Sequence, residues 1–294
     1  MIYFGMVTTA KSRRYTLPAL ETFFRHTDLS AADRFLLIDN DGDFHLPGSC
    51  SRAELVKCER PRSYAANVNF LIQQAAAVQA DVVFLNNDII FAPGWLAPLC
   101  TTDQAILLPL CNQYVTYQRG GLKLEPEMDI EQYAGHEDEF LAIVAEHRAD
   151  ARMRGFIRPP HVSFYCFRLP LLVYSSLGLF DEGFGPGGAE DTDYRIRAYL
   201  AGFDIGIVMG SYVLHFTGKS TWRGGETPEE SRARERQYID HFRAKWGDDL
   251  AKLFIANPRW QIWEKHAAAM GMADMLKSGD YRRMISICLS RRQA

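Results

Sequence analysis

Short apolar runs typical of β-strands alternate along the chain with longer stretches of helical character. The runs cover residues 2–8, 34–39, 81–85, 105–109 and 205–209. Residues 65–80, between the second and third runs, are rich in alanine and contain neither glycine nor proline, as expected of a helix that packs back onto a sheet. This alternation predicts an α/β fold with a largely parallel sheet flanked by helices.

Polar residues follow three of these predicted strands where each strand ends. They are Thr8 and Thr9, then the Asp-Asn-Asp sequence at 39–41, then the Asn-Asn-Asp sequence at 86–88. Open α/β sheets bind ligands at the carboxyl ends of their strands. The sequence therefore predicts a ligand site at that edge of the sheet.

The pattern changes after residue 225. The Thr-Pro-Glu-Glu sequence at 227–230 combines an N-cap, a first-turn proline and an acidic residue at the capping-box position, and Gly247 is expected to end the helix that starts there. We therefore expect one α/β domain over residues 1–225 and a C-terminal helical extension over 226–294. Residues 110–160 have weaker periodicity and are interpreted as an insertion or an acceptor-side segment.

Composition and charge limit the classes of function that the chain can have. The chain has 294 residues, 47% hydrophobic and 23% charged, as a globular protein does. A net charge of -3 argues against nucleic acid or an anionic membrane as partner, because both require a basic surface. The six cysteines form no C-x-x-C pair, which favours reduced core cysteines. The longest apolar stretch, 169–180, is too short to span a membrane, and no secretory signal pattern occurs, so a cytoplasmic location is expected.

The first motif whose residues suit a chemical role is the apolar strand 82–85 with its Asn-Asn-Asp cluster. Pro-Gly-Trp follows at 93–95. A carboxylate at the end of a strand, beside amide oxygens, suits Mg²⁺ or Mn²⁺ that also holds phosphate oxygens. The alternative is an ordinary Asn/Asp turn after a strand.

A second motif lies at 181–193, where four glycines precede a cluster of carboxylates that opens a helix. Acidic residues in a first helical turn are explained by the helix dipole alone. That explanation leaves the glycines unexplained, whereas a carboxylate presented from a pliable glycine-lined rim has the geometry of a general base.

A third motif surrounds His215. A single histidine after a strand is more often a core residue than a ligand. Here Thr217, Lys219 and Ser220 follow around a glycine and suit a diphosphate, and Trp222 suits stacking on a sugar.

Together the three motifs resemble the family 2 glycosyltransferases of GT-A fold over about residues 1–222. The sequence FLNNDIIFAPGWL is similar to that family's metal-binding acidic motif, and LGLFDEGFGPGGAEDTDYRIRAYLAGFDIG is similar to its acceptor-side acidic helix. The resemblance implies a nucleoside-pocket role for Thr8 and Asp39 and a nucleotide contact for Asn67. It implies a metal-binding role for Asp88, with Asn86 beside it, and completion of the metal and diphosphate site by His215. Asp191 would be the catalytic base, and Glu190 would contact the acceptor or support that base. The donor-side roles of Lys219 and Trp222 come from the residues around Gly218 themselves. The chain differs from the family pattern at Asn86, where aspartate is usual, and near Asn67, where a glycine is absent.

The resemblance further implies an inverting, metal-dependent hexosyltransferase. Its donor would be a nucleoside-diphosphate sugar, with a UDP-sugar expected and a dTDP-sugar as the alternative, and its cofactor Mn²⁺ or Mg²⁺. Its acceptor would be a hydroxyl of a glycan, a lipid-linked sugar or a protein. Two other functions stay open: a non-catalytic scaffold that binds nucleotide-sugars, and a sugar-nucleotide pyrophosphorylase, which would need a glycine-rich phosphate loop after the first strand where this chain has Thr-Thr-Ala-Lys-Ser.

Overall fold

A computed structural model describes residues 1–112, 115–117, 120–122, 128–151, 153–219, 226–255 and 260–293 of the chain. The side chains of residues 49, 115–117, 120–122, 260, 261 and 293 are outside this description.

Eleven strands occur in the described residues, most of them in one sheet. In chain order they are β1 (Ile2–Thr8), β2 (Arg34–Asp39), β3 (Ala53–Lys57), β4 (Asp81–Leu85), β5 (Ile89–Phe91), β6 (Ala105–Cys111), β7 (Val115–Tyr117), β8 (Gly120–Leu122), β9 (Phe156–Ile157), β10 (Cys166–Leu169) and β11 (Asp204–His215). Nine of these strands form a sheet in the order β3-β2-β1-β4-β10-β6-β11-β5, with β9 paired to β11, and β7 pairs with β8.

Helices flank this sheet and continue to the end of the described chain. They are α1 (Arg13–His26), α2 (Tyr64–Ala76), α3 (Ile130–Tyr133), α4 (Glu137–Ala149), α5 (Leu171–Leu177), α6 (Glu190–Ala201), α7 (Pro228–Trp246), α8 (Asp248–Phe254), α9 (Trp260–Ala269), α10 (Ala273–Ser278) and α11 (Tyr281–Gln293). Helix α1 packs on β5, α2 packs on β1 and β4, and α6 contacts α5, α11 and β11.

The sheet mixes parallel and antiparallel pairing. Strand β1 runs parallel to both β2 and β4, and β6 runs parallel to β11. Strand β10 lies antiparallel between β4 and β6. Strand β11 continues past a register shift between Val208 and Tyr212 and then pairs antiparallel with β5. As a result, the end of β11 lies beside the residues that follow β4.

The predicted fold class is confirmed, with a helix-flanked α/β sheet and C-terminal helices. The first three predicted strands have the predicted bounds, whereas the runs at 105–109 and 205–209 extend to residues 111 and 215. Helix α2 is shorter than predicted and ends at Ala76, and the capping box at Thr227 begins α7 as expected. Strands β3, β5, β7, β8, β9 and β10 were not predicted, and all of them except β3 have four residues or fewer.

The cysteines are free thiols, as the sequence predicts. Five are buried, but Cys100 is exposed and so is not a core residue. None of the helices in the described part of the chain is both long and apolar enough to cross a membrane.

Candidate active site

The end of β11 brings His215 next to Asp88. His215 pairs with Ile89 in the sheet, so its side chain lies beside the residue that precedes β5. Nε2 of His215 lies 3.2 Å from Oδ1 of Asp88, and the two side chains are 8% and 0% exposed. Strand pairing therefore joins two candidate metal ligands that are far apart in the sequence.

Asp88 and His215 shift each other's pKa. Burial disfavours a charge on His215, but the neighbouring carboxylate of Asp88 outweighs it and raises the pKa of His215 to about 9. Burial likewise opposes the charge on Asp88, but His215 and the backbone N–H of Lys219, which donates to Oδ2 at 3.1 Å, lower its pKa. Each side chain therefore favours the charged form of the other when no cation is bound.

The Asp88 and His215 pair fits a divalent cation that shares its coordination with phosphate. Adjacent ligands of an octahedral ion with bonds of about 2.1 Å lie about 3.0 Å apart, close to the 3.2 Å seen here. No group of three or more His, Cys, Asp or Glu side chains among the described residues could hold a metal. Mg²⁺ commonly takes one or two protein ligands and completes its shell with phosphate oxygens and water. Asp88 supplies a carboxylate of the kind such sites use, and the imidazole of His215 would act as a ligand in its neutral form.

Buried polar groups hold the turn that carries Asp88. Nδ2 of Asn87, a fully buried residue, donates to Oγ of Ser12 at 2.7 Å and to Oγ1 of Thr16 at 2.8 Å. The hydroxyl of Thr16 also lies 2.7 Å from that of Thr8. These contacts fix the turn against the start of α1.

His215 is held on two further sides. The ring of Tyr165 stacks on its imidazole with the ring centres 4.7 Å apart. The backbone N–H of His215 donates to Oδ1 of Asn112 at 2.8 Å. The orientation of the imidazole is therefore set by packing as well as by Asp88.

The start of α6 presents Glu190 and Asp191 from an unusual backbone. Ala189, the N-cap, has a left-handed conformation with φ of +67°. Oδ1 of Asp191 accepts from the backbone N–H of Thr192 at 2.6 Å, while Oδ2 accepts no hydrogen bond from the described residues. Glu190 accepts from the backbone N–H of Gly188. Backbone strain of this kind is frequent at functional sites, and Thr217 on the opposite side also has a positive φ.

The glycines before α6 are packed against α7 rather than forming a pliable rim. A Cβ at Gly183 would lie 2.6 Å from the ring of His241, and one at Gly185 would lie 2.7 Å from Nε2 of Gln237. A Cβ at Gly188 would overlap the ring of Tyr238. The expectation of a pliable loop was therefore wrong: glycine is needed because a C-terminal helix lies directly against the loop.

A cavity of about 470 Å³ lies between these elements. Its volume is typical of a small-molecule site. His215, Glu190 and Asp191 all line it. Asp88 reaches this cavity through its contact with His215. His215, Glu190 and Asp191 therefore share one cavity, whereas Asp88 is buried against His215 and is not among the lining residues.

The other predicted site residues are distributed unevenly around the cavity. Asn67 and Asn86 line it. Thr8 and Asp39 do not line it: the hydroxyl of Thr8 contacts Thr16, and the carboxylate of Asp39 is fully buried. Its two oxygens accept from the backbone N–H groups of residues 42 and 44 at 3.1 and 2.9 Å.

The last two predicted donor residues are Lys219 and Trp222. The side chain of Lys219 is exposed and is not among the residues that line the cavity, although its backbone N–H holds Asp88. Trp222 lies outside the described residues.

Several lining residues escaped the sequence analysis. Arg62, His161, Arg234 and Tyr238 all line the cavity. Arg62 immediately precedes Ser63, the N-cap of α2. From that position in the sequence, Arg62 could have been recognised as a residue near the ligand site. Burial and the nearby charge of Arg195 lower the pKa of His161 to about 4, so this imidazole is neutral at physiological pH.

Two polar atoms at the β1 and α2 side of the cavity have no partner in the described part of the chain. They are Oδ1 of Asn67 and Nη1 of Arg62, both buried. Nδ2 of Asn67 lies 3.3 Å from Oδ1 of Asn40. A buried acceptor and a buried cationic donor without partners are costly unless a ligand or water completes them. This end of the cavity is therefore suited to a polar, anionic ligand.

No protein-family profile matches the sequence, and no curated protein matches it. Solved structures do match its fold. GalNAc-T7 with UDP, GalNAc and Mn²⁺ superposes with a TM-score of 0.61 at 14% identity, over 95% of this chain and 58% of that one. TarS residues 1–349 from S. aureus with UDP gives 0.53 at 12% identity, over 91% and 72%.

A third match is the mannosyltransferase PcManGT from Pyrobaculum calidifontis, in complex with GDP-Man and Mn²⁺. It gives a TM-score of 0.51 at 13% identity, over 98% of this chain and 80% of that one. The chain thus spans little more than half of the GalNAc-T7 structure. At these identities the similarity concerns the fold, and the chain has the GT-A fold of glycosyltransferases.

Proposed function

We propose that this protein is a glycosyltransferase that moves a sugar from a nucleoside-diphosphate donor to a hydroxyl acceptor. The observation that carries the proposal is the placement of Asp191 and His215 on one cavity, with Asp88 3.2 Å from His215. A transferase needs a basic group for the acceptor and a place for the departing diphosphate. In this proposal Asp191 supplies the basic group, and the region around His215 and Asp88 receives the diphosphate.

The donor would occupy the side formed by the strand ends and α2. Arg62 supplies a cation for phosphate oxygens, and the unpartnered Oδ1 of Asn67 supplies a hydrogen-bond acceptor. Asn86, Thr217 and Gly218 also line the cavity. The matched structures were solved with UDP or GDP-Man. We propose a UDP-sugar as the donor, with a dTDP-sugar as the alternative.

Asp88 and His215 would hold Mn²⁺ or Mg²⁺, and the bound cation would neutralise negative charge on the diphosphate. Thr8 and Asp39 would act indirectly in this proposal, because both side chains are engaged within the protein. Asp39 would shape the nucleoside pocket by fixing the turn after β2. Lys219 would act through its backbone N–H, which orients Asp88.

Asp191 would act as the general base. Its Oδ2 carries no hydrogen bond from the described residues, so it can accept the proton of an acceptor hydroxyl as that oxygen attacks the anomeric carbon. Attack from the face opposite the diphosphate would invert the configuration. Glu190 would brace the loop through Gly188 or contact the acceptor. We propose on this basis an inverting hexosyltransferase of the family 2 type.

Donor turnover tests this proposal. The full chain would be incubated with UDP-sugars, dTDP-sugars and GDP-mannose with and without Mn²⁺, and release of nucleoside diphosphate would be followed. Asp191→Asn should lower turnover about 10²–10⁴-fold, the size of a general-base contribution, while donor affinity changes little. Asp274→Asn, in α10 and absent from the cavity lining, is the matched control.

Two results would reject the proposal. Donor binding without turnover of any of these donors would favour the non-catalytic scaffold. Equal losses of binding and turnover in Asp191→Asn would remove the base role from that residue.

A further inference from the structure

His161 is a residue of the cavity to which the proposed chemistry gives no role. Its partly buried side chain lines the same cavity as Asp191. The two groups are near enough for the negative charge of Asp191 to act on the imidazole and favour its protonated form. The surroundings of His161 therefore bear on whatever group reaches Asp191.

Neither ring nitrogen of His161 has a hydrogen-bond partner in the described part of the chain. Nδ1 is buried, and Nε2 is not enclosed in this way, so Nε2 is the nitrogen that a ligand in the cavity can reach. Tyr64, which also lines the cavity, differs because its hydroxyl already donates to the carbonyl oxygen of Phe164 at 2.5 Å. Polar side-chain atoms inside a protein normally have a partner. The imidazole of His161 is therefore available to a ligand.

The position of His161 is fixed by two neighbours. Nη2 of Arg195, a buried residue of α6 one turn after Asp191, donates to the carbonyl oxygen of Pro160 at 2.7 Å. The indole of Trp263 in α9 lies beside the imidazole, with the ring centres 5.8 Å apart. The hydrogen bond of Arg195 thus links the loop that carries His161 to the helix that carries Asp191.

His161 is uncharged at neutral pH. Burial and the guanidinium of Arg195 lower its pKa to about 4, although Asp191 acts in the opposite direction. A neutral imidazole has one N–H donor and one nitrogen acceptor. A sugar hydroxyl can donate to or accept from such a ring, whereas a phosphate oxygen is bound best by a cation such as Arg62. The imidazole therefore suits a hydroxyl group rather than the diphosphate.

We propose that His161 is a substrate-binding residue, whose imidazole forms a hydrogen bond with a hydroxyl of the sugar that lies next to Asp191. The inference rests on the proposed glycosyltransferase function and adds to it a residue that selects the substrate. The hydroxyl belongs to the sugar of the donor or to the acceptor, since both must meet beside the general base. A sugar that lacks this hydroxyl leaves the imidazole without a partner and binds less tightly.

Nuclear magnetic resonance of the imidazole nitrogens tests the contact directly in the full chain. His161 would be identified among the eight histidines as the signal that is lost in His161→Gln. UDP with Mg²⁺ would be added first, followed in one arm by UDP-sugars and in the other by free hexoses, N-acetylhexosamines and disaccharides. We expect the nitrogen shifts of His161 to change with a sugar ligand beyond any change that UDP causes. A response to UDP-sugars alone assigns the hydroxyl to the donor, and a response to free sugars assigns it to the acceptor.

The affinity for the responding ligand gives the size of the contribution. His161→Phe keeps a flat ring beside Trp263 but removes both nitrogens, and should weaken sugar binding about three- to tenfold, as expected for one hydrogen bond. His161→Gln restores a donor and an acceptor and should bind within about threefold of the wild type. Neither variant should change the affinity for UDP. His266→Phe, also in α9 but absent from the cavity lining, is the matched control and should bind as the wild type does.

The outcomes separate this inference from the proposed function. In a protein that binds UDP, unchanged nitrogen shifts of His161 with every sugar ligand would overturn the role of His161 alone. Unchanged sugar affinity in His161→Phe, or equal losses of UDP and sugar affinity in that variant, would also overturn it. Absence of UDP binding and of donor turnover would overturn the proposed function, and the role of His161 with it.

Discussion

Lys245 is expected to be the residue that locks the C-terminal extension onto the helix carrying Asp191. Its Nζ lies 2.6 Å from Oδ2 of Asp181 and 2.7 Å from Oδ1 of Asp193. Asp193 is in α6 and is fully buried, while Asp181 precedes the glycine loop. The substitution Lys245→Met removes the charge and keeps most of the side-chain volume.

The expected loss in the free energy of unfolding depends on the contacts that Asp193 keeps after the substitution. Removing one partner of a buried pair costs about 3–5 kcal/mol when the other charge is left alone. Here Asp193 keeps Trp246 Nε1 at 2.8 Å and Arg197 Nε at 3.0 Å, and Lys245 is 31% exposed. We therefore expect a loss of about 2–3 kcal/mol in the free energy of unfolding.

The assay is urea unfolding followed by circular dichroism. Lys277→Met is the matched control, because Lys277 and Glu264 are 3.9 Å apart and both well exposed. An exposed pair of this kind contributes about 0.5 kcal/mol or less. Equal losses in the two variants would refute the role assigned to Lys245.

The pH dependence gives an independent check. Burial opposes the charge on Asp181, but hydrogen bonds from Lys245, the Gly183 N–H and His241 outweigh it and hold its pKa well below the ordinary 3.8. Stability from this group is fully present above that ordinary value and is lost as the pH falls below it towards the folded-state pKa. Lys245→Met moves the folded-state pKa of Asp181 back up. The variant should therefore lose less stability than the wild type between about pH 4 and pH 2.

Three further predictions concern the site. Gly188→Ala places a side chain at a φ of +140° and against Tyr238, and should lower the free energy of unfolding in urea by about 1–3 kcal/mol. Gly48→Ala is the control, because nothing lies within 4 Å of the added carbon, and it should change that free energy by less than about 0.5 kcal/mol. Asn87→Ala removes two buried hydrogen bonds and should cost about 2–3 kcal/mol, measured by thermal unfolding, and an unchanged midpoint would contradict the bracing role. In Asp88→Ala, Mn²⁺ should no longer raise the melting temperature in the presence of UDP, whereas a normal response to Mn²⁺ would remove this residue from the metal site.

The proximity of Asp88 and His215 could be predicted because both lie at the ends of strands of the same sheet. Apolar runs mark β4 and β11, and polar residues at strand ends meet at one edge of a sheet. The placement of Asp39 was less predictable. Its Asp-Asn-Asp-Gly context is a strong local turn signal, and the structure uses both carboxylate oxygens for that turn.

The cavity wall formed by the extension could not be predicted. Gly183, Gly185 and Gly188 are explained by His241, Gln237 and Tyr238, which lie some fifty positions later in the chain. Glycine composition alone does not distinguish a mobile loop from one that is crowded by a partner. Such a distinction requires tertiary contacts, which no local pattern encodes.

The pairing of β5 with β11 has a consequence for the order in which the protein is made. Lys219 and Asp88, joined by a hydrogen bond, are 131 positions apart. A ribosome-bound chain that has exposed β1, β2 and β4 can begin to assemble its first strands, but it lacks the partner of Asp88 until the end of β11 has emerged. Since long-range pairings of this kind form late, a nascent chain would join Asp88 to its partners only after residues 204–219 have left the ribosome.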